Sequence, residues 1–247
     1  MTGNMSGRNA KHWRAAEAKD WAELARGALA GRVAADLAHE INDLLVGVLS
    51  VATAAADTDG ERELRQALDT NAEYGQRIAD LVGAFQETFN GGAFRRPPAP
   101  VCFTDVLGRC LFLCRHRIRS RRAEVRQRFG ALPRVQADVG LMQWVFIELL
   151  YRALDTASGG GRVELTAEET GESVAVTLSC ETGRSASNVG ENGGGGPDGR
   201  LTPRTMGLAA ARSVIQGYGG ELTAHPTLGT AHSFTVRLPV WARSAAP

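Results

Sequence analysis

The 247-residue chain is short of most features that mark specialised proteins. It has four cysteines, and their spacing fits neither a disulfide framework nor a Cys/His metal site: Cys110 and Cys114 lie one helical turn apart, while Cys102 and Cys180 stand alone. No metal ligand set is expected, and the thiols are read as reduced and buried. An excess of charge of one sign is missing as well. Lys and Arg total 28 against 27 Asp and Glu, a net charge of +1, which gives no reason to expect bulk attraction to nucleic acid or membrane. Aromatic residues make up only 6%, and none interleave the one basic run, seven arginines between Arg115 and Arg128, as stacking platforms for nucleic acid would. That run is read as a solvated face and strand edge, with partner docking as the alternative. The most apolar run, residues 44–56, is too short to span a bilayer and is bracketed by Asp43 and Asp57. Residues 1–14 are polar and lack the apolar core of a signal peptide. The expectation is a cytoplasmic protein with no membrane span.

What remains is ordinary globular material, 43% hydrophobic and 22% charged, long enough for one large or two small domains. From about residue 11 the chain is rich in Ala, Glu, Arg and Leu without a breaker, which predicts helix. Trp13, Trp21, Leu24 and Ala28 share a face there, so residues 1–30 form either an extension of the next helix or a short docking helix. Leu37, Ile41, Leu44, Val48 and Val51 alternate spacings of four and three, one apolar stripe of a long helix. At about 100° per residue, His39 falls well off that stripe together with Asp36, Glu40 and Asp43, on the outward face.

The helix should fade at Asp57-Thr-Asp-Gly60, and a second should run over 61–89. Its apolar stripe includes Leu64, Leu68, Tyr74, Ile78, Leu81, Val82, Phe85 and Phe89. Two helices joined by a short turn make an antiparallel hairpin over 31–91. Each carries one apolar stripe, so two copies should associate as a four-helix bundle. Residues 92–100 are a linker, ending in prolines that forbid helix. After it the texture changes to α+β over 101–241: helices near 104–119, 139–157 and 205–218, strands near 123–129, 134–137, 162–168, 173–180, 221–225 and 233–238, and a Gly-rich loop over 183–204. Helices on one face of a mixed sheet make a two-layer sandwich. Residues 242–247 are a tail.

Two sets of motifs carry a resemblance. Leu37-Ala38-His39-Glu40-Ile41-Asn42 resembles the phospho-acceptor motif of sensor histidine kinases. Gly207-Leu-Ala-Ala-Ala-Arg212, Tyr218-Gly219-Gly220-Glu221, Leu228-Gly229-Thr230, Phe234 and Leu238-Pro239 resemble the closing signature of their ATP-binding domain, the Bergerat fold. The resemblance covers about residues 31–239. It implies a dimeric two-component signalling protein in which His39 is the nucleophile and Glu40 orients or deprotonates it. An imidazole suits that role because its neutral form is abundant near pH 7. The implied partners are a response-regulator receiver domain and an upstream histidine kinase.

The departures from the family pattern concern the nucleotide. Where the family has two asparagines four residues apart, one of them holding Mg²⁺, this chain has Glu148 and Arg152. A guanidinium donates and never accepts, so it ligates no metal. It either pairs with Glu148 at i, i+4 and closes the site, or holds a phosphate directly. The adenine-reading Asp-x-Gly-x-Gly turn becomes Glu181-Thr-Gly183-Arg-Ser185. The glycine-rich phosphate cradle keeps only Gly207, and Pro203 removes one of its N–H groups. Four residues after His39, where the family often has Thr or Asn, stands Asp43, and Leu44 replaces a usual proline. The expected function is a histidine phosphotransferase on a kinase scaffold that uses no cofactor. The alternatives are an ATP-dependent kinase using Mg-ATP at an atypical site formed by Glu148, Arg152, Glu181, Gly183 and Gly207, and a pseudokinase that acts by binding alone.

Overall fold

The computed structural model describes residues 6–89, 97–182, 203–226 and 231–241. Linker residues 90–96, Gly183 and the Gly-rich stretch after it, Leu228-Gly229-Thr230 and the tail lie outside the described residues, as do the side chains of Trp13 and Trp21.

One uninterrupted helix, α1 (Ser6–Ala56), opens the chain, so the N-terminal extension and the acceptor helix are a single rod of 51 residues. Its stretch Glu23–Ala56 is, by length and composition, long and apolar enough to cross a membrane, a property the shorter run 44–56 did not suggest. The predicted stripe faces inward at Leu37 and Leu44 and continues upward through Val33, Leu29 and Ala25, all buried. The second helix, α2 (Glu61–Phe89), returns antiparallel beside it. Gly47 lets the two helices approach closely: a Cβ there would stand 3.0 Å from the Tyr74 ring. At the far end Arg26 donates to the carbonyl oxygens of Thr88 (3.3 Å) and Phe89 (2.6 Å), satisfying acceptors that the C-terminus of α2 leaves open.

The remainder is an α+β two-layer sandwich. Helices α3 (Phe103–Ser120), α4 (Val139–Thr156) and α5 (Pro203–Gly217) accompany a five-stranded sheet. Its strands are β2 (Glu124–Phe129), β4 (Arg162–Thr170), β5 (Ser173–Glu181), β6 (Glu221–Pro226) and β7 (Ala231–Pro239), in the order β2-β4-β5-β7-β6. The β2–β4 pair is parallel and the others antiparallel.

Alternation sets the faces. Val163 and Leu165 of β4 and Val174, Val176 and Leu178 of β5 are fully buried. On the opposite face Thr177 and Thr235 share a hydroxyl hydrogen bond at 3.2 Å. Helix α4 is the core of the molecule, with Trp144, Phe146, Leu150 and Tyr151 at no exposure; Asp138 caps it by accepting from the Leu141 amide at 3.0 Å. Gly219, at φ 72°, ends α5 as its place in the Tyr-Gly-Gly turn predicts.

One pairing was not expected. Ala99–Val101 (β1), overlapping the end of the stretch read as linker, pairs antiparallel with β3 (Val135–Ala137). Pro100 is tolerated there because a two-stranded ribbon is all edge.

Candidate functional site

The His39 segment lies in the second half of α1, which packs against α3. His39 is exposed, as its place off the apolar stripe predicts. Its neighbours are not. Glu40 is buried to 2% exposure and Asp36 is half-buried, so these two of the three acidic residues placed on an outward face instead point into the seam between α1 and α3, while Asp43 stays exposed as expected. The physical reason is the basic run. Arg115, Arg117 and Arg119 stand on α3 opposite the acids of α1, and charges that must be buried are buried in pairs. Glu40 takes Arg115 on one oxygen (Nε to Oε1, 2.9 Å) and Arg119 on the other, with His116 Nδ1 3.6 Å from Oε2. Burial pulls the Arg115 guanidinium below its ordinary value, against the attraction of Glu40. Three of the run's arginines, Arg115, Arg117 and Arg119, thus dock on the chain's own hairpin, while Arg126 and Arg128 form the exposed strand edge that the sequence suggests.

A second knot lies further along. Asp36 accepts from the Tyr151 hydroxyl at 2.6 Å and from Arg117 at 3.3 Å. Asp155 of α4 receives Arg32 and Arg121, each at 3.2 Å, and Arg117. Arg117 and Arg32 stack over the Tyr151 ring, 4.4 and 4.8 Å from its centroid. Burial lowers the Arg117 pKa, but Asp155 and then Asp36 outweigh it, and the guanidinium is held above its ordinary value.

The His39 ring itself is stacked. The imidazole of His116 lies nearly parallel to it, centroids 5.5 Å apart and planes 14° apart. Glu40, Asp43 and His116 each bring one ligand atom within 4.8 Å of the others, a grouping of the kind that can hold a cation. Both Glu40 oxygens are already engaged by arginines, so the local charge is matched without a metal.

The nucleotide positions divide. Glu148 and Arg152 form an ion pair along α4, Arg152 Nε and Nη2 donating to Oε1 at 2.9 and 2.7 Å, with side chains 4% and 12% exposed. Of the two sequence alternatives for Arg152, the structure has the pair. Gly207 meets this carboxylate closely: a Cβ there would fall 2.3 Å from Oε1, so a side chain at 207 would have to displace the Glu148 carboxylate. Gly207, the one glycine kept from the phosphate cradle, lies against Glu148. Glu181 is exposed at the end of β5, and Gly183 lies outside the described residues.

Over this face of α4 lies the upper part of α1. Leu29 and Arg32 close a cleft of about 310 Å³ with Arg117, Glu148, Arg152 and Asp155. The positions that would ligate Mg²⁺ thus offer a carboxylate paired with a guanidinium, beneath a helix. This donor set does not fit Mg-ATP.

Sequence reasoning missed Arg115, His116 and Arg119 around the acceptor, and Arg32 and Asp155 at the second knot. The signal was present as a dense arginine run and an acid-bearing helix face, but a one-dimensional pattern does not say that they meet.

Known proteins resemble the chain in sequence. The chain is 27% identical over 230 residues to the C4-dicarboxylate transport sensor protein DctS of Rhodobacter capsulatus, covering 85% of this chain and 33% of that protein. It is 25% identical over 228 residues to the sensor histidine kinase ZraS of Salmonella typhimurium, covering 86% and 46%. The chain therefore spans less than half the length of these relatives. Among solved structures, the catalytic domain of the histidine kinase ThkA aligns at 17% identity and a TM-score of 0.49, over 59% of this chain and 97% of that one. No family model matches. Over about 85% of its length the chain is similar in sequence to sensor histidine kinases of two-component signalling.

Proposed function

We propose that the chain is a phosphoryl carrier: His39 accepts a phosphoryl group from an aspartyl phosphate of a response-regulator receiver domain and returns it. The observation that carries this reading is an exposed imidazole on an acceptor helix beside a nucleotide position closed by the Glu148–Arg152 pair. In the transfer, a ring nitrogen lone pair of neutral His39 attacks phosphorus. The N–P bond forms as the P–O bond breaks, and the receiver aspartate leaves as its carboxylate with the electron pair. The other ring nitrogen keeps its proton until solvent takes it. Such chemistry needs in-line positioning and charge neutralisation, and the receiver contributes its own metal ion. Two copies joined through the hairpin, acting in the cytoplasm, complete the proposal.

The likeness to sensor kinases favours a second reading, autophosphorylation from Mg-ATP. One experiment separates the two. Purified chain is incubated with receiver domains phosphorylated by acetyl phosphate and, separately, titrated with Mg-ATP in a calorimeter. The carrier reading expects acid-labile label on the wild type, none on His39→Ala, and no saturable heat with nucleotide. Label on His39 from ATP alone would establish the kinase reading. A His39→Ala chain that signals normally in cells would leave only a binding role.

A further inference from the structure

We infer that His116 is a positioning residue for the phospho-acceptor, fixing the ring of His39 from the ATPase-like domain; this rests on the phosphotransfer reading above and names what aligns its nucleophile. An exposed histidine on a helix ordinarily samples several rotamers, and each misaligned rotamer is lost to an in-line attack. Here the ring has a face to lie on. His116 projects from α3 and stacks on His39 at 5.5 Å and 14°. His116 is held in turn: its Nδ1 faces Glu40 Oε2 at 3.6 Å. Glu40 is itself anchored by Arg115 and Arg119. The order of support thus runs from two arginines to a buried carboxylate, to one imidazole, to the reactive one.

The arrangement also gives the C-terminal domain work that needs no nucleotide. Its first helix supplies the surface on which the acceptor is aligned, which accounts for a kinase-like domain kept beside a closed cleft. Asp43 of α1 completes the ring of charged groups about His116, and Arg77 of α2 adds positive charge near Arg115.

Three proteins test the inference: wild type, His116→Ala and His116→Phe. The donor is a phosphorylated receiver domain over a concentration series, so that the maximal transfer rate and the half-saturating receiver concentration are read separately. His116→Ala removes the stacking face and is expected to lower the maximal rate by about ten- to a hundredfold, with half-saturation unchanged. His116→Phe keeps a planar face and is expected to recover most of that rate. Side-chain NMR of His39 supplies the structural readout, its ring resonances moving in the Ala variant and returning toward wild type in the Phe variant.

Wild-type rates in His116→Ala, or equal losses in both variants, would overturn the inference while leaving phosphotransfer intact. A shift confined to half-saturation would also overturn it, assigning His116 to receiver docking. If wild type itself takes no label, the phosphotransfer reading fails and this inference falls with it.

Discussion

At the scale of single residues, the most consequential exchange is the one at Glu148 and Arg152. Neither is alarming alone. Together they form a nearly dry ion pair, 4% and 12% exposed, against which Gly207 packs. Removing one member of such a pair leaves the other charge buried, so Arg152→Ala should destabilise the fold by about 3–5 kcal/mol. A fall in the urea midpoint at unchanged m-value would show it, and an unchanged midpoint would mean the pair is wetter than it looks. The sequence exposed this substitution plainly but left open whether Arg152 would pair or reach for phosphate; packing decides that, and packing is not written in i, i+4 spacing. The acceptor shows the same division. His39 was legible from the wording around it and from its angle off the apolar stripe. The burial of Glu40 was not, because helical periodicity locates a face without saying which other element will cover it.

Among elements, α1 is the least conventional. The four glycines that punctuate it, Gly7, Gly27, Gly31 and Gly47, do not break it, so the N-terminal extension and the His39 segment share one axis. Along its lower half Leu45, Val46 and Leu49 remain 46–66% exposed, and on α2 Leu64 and Leu68 are 39% and 69% exposed. A strip of this kind rarely stays in water. A second hairpin would cover it as a four-helix bundle. Leu49→Glu combined with Leu68→Glu should give a monomer in light scattering with helicity preserved, whereas a variant that stays dimeric would place the interface elsewhere. Helix and strand positions were largely legible from period and breaker residues, since α4 and β5 carry strong patterns. β1 was not, because three residues containing a proline read as linker until a partner strand is seen.

For the molecule as a whole, two kinds of interior coexist. The sandwich core is apolar, while the seam between hairpin and sandwich is built from charge, with Asp36, Glu40 and Asp155 meeting Arg32, Arg115, Arg117, Arg119 and Arg121. Close to that seam lie protons the fold keeps. Burial pushes the Cys110 and Cys114 thiols up, and burial, the neighbouring Cys114 and the bond to Asp36 do the same to the Tyr151 hydroxyl. The folded chain thus holds these protons to a higher pH than the unfolded chain does. Stability from them is complete below the free-thiol value of about 8.5 and declines as pH rises beyond it, by roughly 1 kcal/mol per thiol one pH unit higher. Urea midpoints between pH 7 and 10 should fall accordingly, and a flat profile would place the thiols in water.

The long first helix has a mechanical corollary. Leu29, over the cleft, and His39, at the stack, ride ten residues apart on it, about 15 Å at the ordinary helical rise. A rod that stiff transmits tilt. Prying its upper end off the cleft would swing the His39 ring away from His116 in the same stroke, so uncovering the cleft would undo the stack.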